Sequence, residues 1–271
     1  MNPTSAATRT TAVPAAHPPL PAHRPRLADM TRQTLLLLVW QLRRQSMYLP
    51  LLVLVQVFLA VTTVVGYGML VGDPPSETAL YLATGAPTIT LITVGLVMTP
   101  QMVATARTEG SYDWMRTLPV PRGVFLVADL AMWSALALPG MVLGVVAGAL
   151  RFDVDLSLAP WLLPGVVAVS MTAAAIGYSI AVLMPPAIAM LMSQVLVFVV
   201  LLFAPVSYPR ERMPQWAQDA HEWLPFEPMA QLVRAGLVSD TFDMPARSVV
   251  VLGAWCLATV TGAALALRRR A

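Results

Sequence analysis

Apolar residues along this chain come in long blocks. Six of them, at about 49–71, 84–106, 123–150, 160–183, 187–206 and 247–267, each approach the ~20 residues that take an α-helix across ~30 Å of hydrocarbon. The fourth and fifth blocks are parted only by Met184-Pro185-Pro186. Two prolines stop one helix and turn the chain, and a single helix through both blocks would overrun a bilayer. Ahead of the first block the pattern changes. Over 29–48, Leu35, Leu36, Val39, Trp40 and Leu42 share one broad face, flanked by Arg32, Arg43 and Arg44. This predicts an amphipathic helix lying in the interface, or else the start of a longer, tilted first span. Residues 1–28 are rich in Pro, Ala and Thr and lack periodicity, which predicts a disordered tail. No apolar core follows the start, so they do not read as a signal peptide.

Two polar segments between blocks carry more than loop residues. From Arg107 to Arg122, Tyr112, Met115 and Leu118 recur at i, i+3 and i+6, and Pro119 follows. The spacing predicts a short helix on the membrane face, ended by the proline; it docks on a partner or floats among head groups. In 207–246, Met213, Trp216, Ala220 and Trp223 follow helical spacing before Pro225 and Pro228, and Met229–Leu237 forms a second helical piece. Neither piece is long enough to cross. They read as two short helices dipping into or lying on the opposite interface, where Trp is favoured, or as a small exposed cap.

Within the blocks, Gly140, Gly144 and Gly148 repeat at every fourth position, and Ala254, Ala258, Gly262 and Ala266 do the same in the last block. Such stripes let helix backbones approach closely. The polar residues there are mild. Gln56, Thr90, Thr93, Tyr178 and Gln194 either line a pathway or only bond a neighbouring helix or a local carbonyl. No acid falls mid-membrane; Asp129, two turns after Arg122, lies near one interface.

Composition agrees with this reading. The chain has 271 residues, 57% of them hydrophobic and 11% charged, against about 25% charged in soluble domains. All 17 basic residues are Arg. Without Lys there is no P-loop lysine and no Schiff base. Cys256 is the lone cysteine and His17, His23 and His221 are scattered, so no Cys- or His-based metal site is expected. With the N-terminus placed inside, 12 Arg fall on the inner side and 5 on the outer, which predicts six spans with both termini cytoplasmic. A net charge of +3 is too small to point to nucleic acid.

This layout resembles the type 2 ABC exporter permeases, and among them the daunorubicin/drug-resistance-type group. The stretch from Glu109 to Arg122 is similar to that family's pattern of Glu, Gly, Thr, a hydrophobe and then Leu-Pro-Val-Ser-Arg, with Ser111 and Pro121 departing from it. Pro205 to Pro209, Leu224 to Pro228 and Arg234-Ala235-Gly236-Leu237 are similar to its outer-loop marks, Glu227-Pro228 standing where a Thr-His-like pair is commoner. The resemblance implies an all-α type 2 transmembrane domain over 29–271. It has six spans, an amphipathic interfacial helix, a coupling helix between spans 2 and 3, and short outer helices between spans 5 and 6. It implies a plasma-membrane permease exporting an amphiphilic drug, a lipid or a lipid-linked compound, in the manner of antibiotic efflux. It also implies a second permease copy or a sibling, and a separate ATP-binding subunit that carries the ATP and Mg. Glu109, Gly110, Tyr112, Asp113, Trp114, Met115, Leu118 and Pro119 would then couple the permease to the ATPase, and this chain would hold no cofactor and do no bond chemistry. A non-transporting assembly protein and an ion-coupled secondary carrier are the other classes the residues allow.

Overall fold

The computed structural model describes residues 27–72, 74–111 and 120–269. The tail expected before them lies almost wholly outside the described residues. Nine helices are seen among the described residues: α1 (Leu27–Gln45), α2 (Leu49–Val71), α3 (Ser76–Thr108), α4 (Arg122–Phe152), α5 (Leu162–Leu183), α6 (Pro186–Phe203), α7 (Gln215–His221), α8 (Phe226–Leu237) and α9 (Ala246–Arg269). Six of them, α2 to α6 and α9, are long and apolar enough to cross a membrane. The chain is thus an all-α integral membrane protein, as the pattern of blocks predicts. The Pro185-Pro186 break falls between α5 and α6, with Pro186 opening the second helix.

The largest departure is in α3. It begins at Ser76, so Ser76 and Glu77, expected in a loop, form its first turn, and it runs for 33 residues. Burial explains its length. Of its apolar window, 78% is buried, against 17% for α2 and 22% for α6 and α9. Helix α3 is therefore the axis of the bundle, although its first residues, Ser76 and Glu77, are exposed. Two prolines interrupt its ladder. Pro87 has no N–H for the Ala83 carbonyl, and that carbonyl lies against Gly148 of α4, where an added Cβ would come within 2.8 Å. A Cβ on Gly144 would meet Pro87, and one on Gly140 would meet Gln56 and Thr90. The glycine stripe of α4 thus faces α3 and α2 with almost no side chain between the backbones. Pro100 is accommodated by a π-turn over Val94–Met98, in which the Thr99 N–H reaches the Val94 carbonyl five residues back. The stripe on α9 meets nothing comparable: Ala254, Ala258 and Gly262 are exposed, while Leu252 and Ala263 face the core.

Helix α1 packs on α4 with Leu38, Gln41 and Leu42 turned inward and Leu35, Leu36 and Val39 exposed. Leu42 therefore leaves the face on which its spacing had grouped it. Helix α8 does not lie on a surface. It is buried against α3, α5 and α9 along nearly its whole length, and Pro228, expected to interrupt it, sits in its first turn, where a missing N–H costs nothing. The chain after α4 is tied to it through Ser157 N–H to Leu237 O at 3.1 Å and Ala159 N–H to Gly236 O at 2.9 Å.

Candidate functional site

Polar chemistry concentrates at the two ends of the bundle. At the α1 end, Arg107 near the close of α3 donates to the Ala181 carbonyl and, at 2.8 Å, to that of Met184. It thereby caps carbonyls left open where α5 stops before Pro185. Glu109 caps α3 and is exposed, Gly110 takes a positive φ of 75°, and Ser111 donates back to the Ala106 carbonyl at 3.3 Å. This turn closes α3 just before the segment singled out in the sequence. Tyr112, Asp113, Trp114, Met115, Leu118 and Pro119 lie outside the described residues. Beside this turn, a cavity of about 540 Å³ opens between α1, α2, α3 and α4, with Gln41 and Asp129 in its wall.

At the α8 end the centre is Arg234, which is 5% exposed. Its Nε donates to Thr84 Oγ1 at 3.2 Å and its Nη2 to the Val206 carbonyl at 2.6 Å. Its guanidinium lies 3.9 Å from the Tyr81 ring centroid, and Tyr81 in turn meets Phe242 edge-on. Burial lowers the Arg234 pKa to about 10, so it stays charged at neutral pH. An ion-pair chain surrounds it. Arg210 bonds Glu222 at 2.9 Å and Glu227 at 3.3 Å, and Arg247 bonds Glu222 at 2.7 Å. Gln231 donates to Glu227 at 2.8 Å and accepts from Ser248. Because Arg210, Glu222 and Arg247 are partly exposed, these pairs add little stability singly; they fix the register of the segment between α6 and α9.

The two glutamates titrate with opposite sign. Hydrogen bonds from Arg247 and Arg210 hold Glu222 below the usual carboxylate range, so its contribution is present at neutral pH and is lost as pH falls through that lowered value. Burial raises Glu227, with Arg210 opposing. The folded state then holds that proton more tightly than the unfolded chain, and the contribution declines as pH rises from the ordinary carboxylate range through the raised value. Glu227→Gln is expected to flatten the neutral-side decline and Glu222→Gln the acid-side one. Thermal midpoints of the detergent-solubilised variants between about pH 3 and pH 8 would show it; parallel curves for the two would contradict the assignment.

The residues proposed to line a pathway do not share one surface. Gln56 and Thr90 are fully buried and meet around Gly140, and neither polar atom of the Gln56 amide has a hydrogen-bond partner among the described residues. The Thr90 hydroxyl donates to the Ala86 carbonyl at 3.1 Å, the local bond open to any helical threonine. Tyr178 is buried in the core of α5, Thr93 is partly exposed and Gln194 faces outward on α6. Two features were missed in the sequence. The Gln41–Asp129 pair joins α1 to α4 with Nε2 to Oδ1 at 2.6 Å; its signal was the lone acid in a span. Arg234 was counted among the outer-side arginines and as part of an outer-loop mark, and one residue of sequence carries no sign of its burial.

Six membrane-length helices, five of them packed around the central α3, define a multi-pass membrane protein. Residues 32–238 match the model of the ABC-2 type transporter family, and the chain belongs to that family. It is a permease component of an ABC transporter, a transport subunit and not itself the catalytic one. Permeases of this family usually work with an ATP-binding subunit. No curated protein matches the chain.

Proposed function

We propose that the chain is the membrane half of an ATP-driven exporter, moving an amphiphilic drug, a lipid or a lipid-linked compound out of the cytoplasm or inner leaflet. The supporting observation is the path of α3. The most buried span of the bundle ends at Glu109 and Gly110 and leads directly into the 112–119 segment, so a push on that segment would act on the axis about which the other spans pack. In this reading the α1 end is cytoplasmic, which the excess of arginine there supports, and both termini lie on the cytoplasmic side of the plasma membrane. Two permease copies, or one with a sibling, pair with two ATPases. ATP and Mg bind on those subunits, in keeping with a chain that has no lysine. The likeness to drug-resistance permeases supports efflux over import.

The test is ATP-dependent accumulation of drugs and lipids in inside-out vesicles that hold the chain and its ATPase. Glu109→Arg is expected to lower coupled transport at least tenfold (about 1.4 kcal/mol of coupling or more) while the permease still purifies folded, and Trp114→Ala is expected to do the same. Unchanged complex formation and unchanged transport in both variants would overturn the coupling role. Transport that follows a proton gradient and ignores ATP depletion would overturn the export mechanism.

A further inference from the structure

The cavity at the α1 end contains groups that neither helix packing nor coupling uses. Its floor is the Asp129 carboxylate on α4. Among the described residues it receives one hydrogen bond, from the neutral Gln41 amide, and no arginine within ion-pair distance. Gln41 is 6% exposed, and its Oε1 has no partner. The amide orientation follows from the pair itself, since only the NH₂ group can donate to a carboxylate. The wall of the cavity therefore holds a carboxylate that still accepts, held from behind by a buried amide whose Oε1 is closed off from the cavity. A lone carboxylate within a membrane span is costly unless a partner compensates it, and a cationic N–H donor would do so.

The rest of the wall is apolar and aromatic: Trp40, Tyr48, Leu52, Met102, Met132 and Trp133. At about 540 Å³ the space matches pockets that hold drug-sized molecules. The charged groups Arg44 and Glu109 line it too, but both are exposed at the rim, and Arg44 lies over the Trp40 ring at 5.6 Å. Aromatic faces favour a cation, and Tyr48 and Leu51 on the cavity wall are exposed, which leaves access from the lipid side.

We infer that this cavity is a binding site for an amphiphilic amine, whose ammonium group donates to the Asp129 carboxylate while its apolar body lies against Trp40, Met132 and Trp133. The ammonium supplies three donors, enough for both carboxylate oxygens. An amine on a membrane lipid and an amine on a free amphiphile present the same chemistry. That the bound molecule is the exported substrate rests on the export reading; that it binds does not.

The full-length chain in dodecyl maltoside, which has no amine and no charge, is titrated with dansylcadaverine, and binding is read as energy transfer from tryptophan to the dansyl group. The N-acetylated probe, uncharged and otherwise alike, serves as the comparison. The amine probe is expected to bind at least tenfold tighter than the acetylated one, and Asp129→Asn to abolish that preference. Thr105→Trp, at an exposed position on the cavity wall, is expected to weaken both probes at least tenfold and keeps the test alive should the Asp129 variant not fold. Competition by phosphatidylethanolamine but not phosphatidylglycerol would assign the site to a lipid amine, and no competition by either to a free amphiphile. Equal affinity for the two probes, no effect of Asp129→Asn in a folded chain, no effect of Thr105→Trp, or equal competition by both lipids would each overturn the site. No ATPase is present, so failure here leaves export untouched, and failure of vesicle transport leaves binding untouched.

Discussion

Replacing Gly177 with leucine is expected to leave no folded protein. Gly177 lies where α5 crosses the π-turn of α3. A Cβ there would fall well inside van der Waals contact distance of the Gly95 carbonyl oxygen and within 2.9 Å of Pro100 Cδ. The contact is reciprocal, since a Cβ on Gly95 would stand 2.5 Å from the Ala173 carbonyl carbon and 2.6 Å from the Ala174 nitrogen. Backbone meets backbone on both sides, so no side chain can rotate away. Overpacking a core costs about 1–3 kcal/mol where neighbours can give, and here the neighbour is the turn that accommodates Pro100. Gly177→Ala is expected to reach the upper part of that range, and Gly177→Leu to exceed the few kcal/mol by which a fold exceeds its unfolded state. Gly262 is the control. Nothing lies within 4 Å of its added Cβ, so Gly262→Leu should stay within about 0.5 kcal/mol of the parent. Size-exclusion profiles and thermal midpoints in detergent decide the matter. A Gly177→Leu chain that elutes and melts like the parent would show that the two helices are not held at backbone contact.

How far the sequence foretells this contact shows what hydropathy can carry. Span positions were legible because each block reports its own transfer free energy, independent of neighbours. The stripe Gly140, Gly144, Gly148 was legible as a packing surface, but its partner was not. The partner surface is made by Pro87 and Ala83 of α3, and a proline in a span reads as a kink until another backbone is set against it. The start of α3 was lost for the opposite reason: Ser76 and Glu77 look like loop residues to any lipid-based scale, yet they form the exposed first turn of a helix whose later turns are surrounded by protein. Gln194, read either as a pathway residue or as a bond to a neighbouring helix, lies on the outward face of α6, which a lone glutamine in an apolar run does not reveal. The inward row of α6 is Ala189, Ser193, Val197 and Val200, and Gln194 falls one residue off it. The Gln41–Asp129 pair joins residues 88 positions apart; the lone acid was visible in the sequence, but its partner across that distance was not.

Arg234 supports the second large effect, and its sign depends on two opposed costs. Burying a guanidinium without a carboxylate partner is expensive, so an apolar substitute such as Arg234→Met relieves that cost. Against it stand the groups Arg234 serves. The Val206 carbonyl, in a residue 2% exposed, would lose its donor, a loss of about 1–3 kcal/mol. The stacking on Tyr81 at 3.9 Å would also go, worth about 2 kcal/mol where water is excluded. Thr84 keeps its bond to the Leu80 carbonyl at 2.7 Å and adds little. Methionine also lacks the planar body that fills the space beside Tyr81 and Phe242. We therefore expect Arg234→Met to destabilise by about 2–4 kcal/mol, within the range of a broken buried network. Arg234→Lys should fall in the same range, because one ammonium cannot serve the carbonyl, the hydroxyl and the ring face together. The damage should be local first: Arg234 joins α8 to α3 through Thr84 and to the chain after α6 through Val206. Ser207, bonded to Tyr67 at 2.8 Å, neighbours that last contact. In a Cys256→Ser background, Ser207→Cys should react with a water-soluble maleimide many times faster when Arg234 is methionine than when it is arginine. Equal labelling rates together with an unchanged thermal midpoint would mean that the relief from desolvation matches everything the guanidinium holds, and that α8 stays in place through its apolar contacts alone.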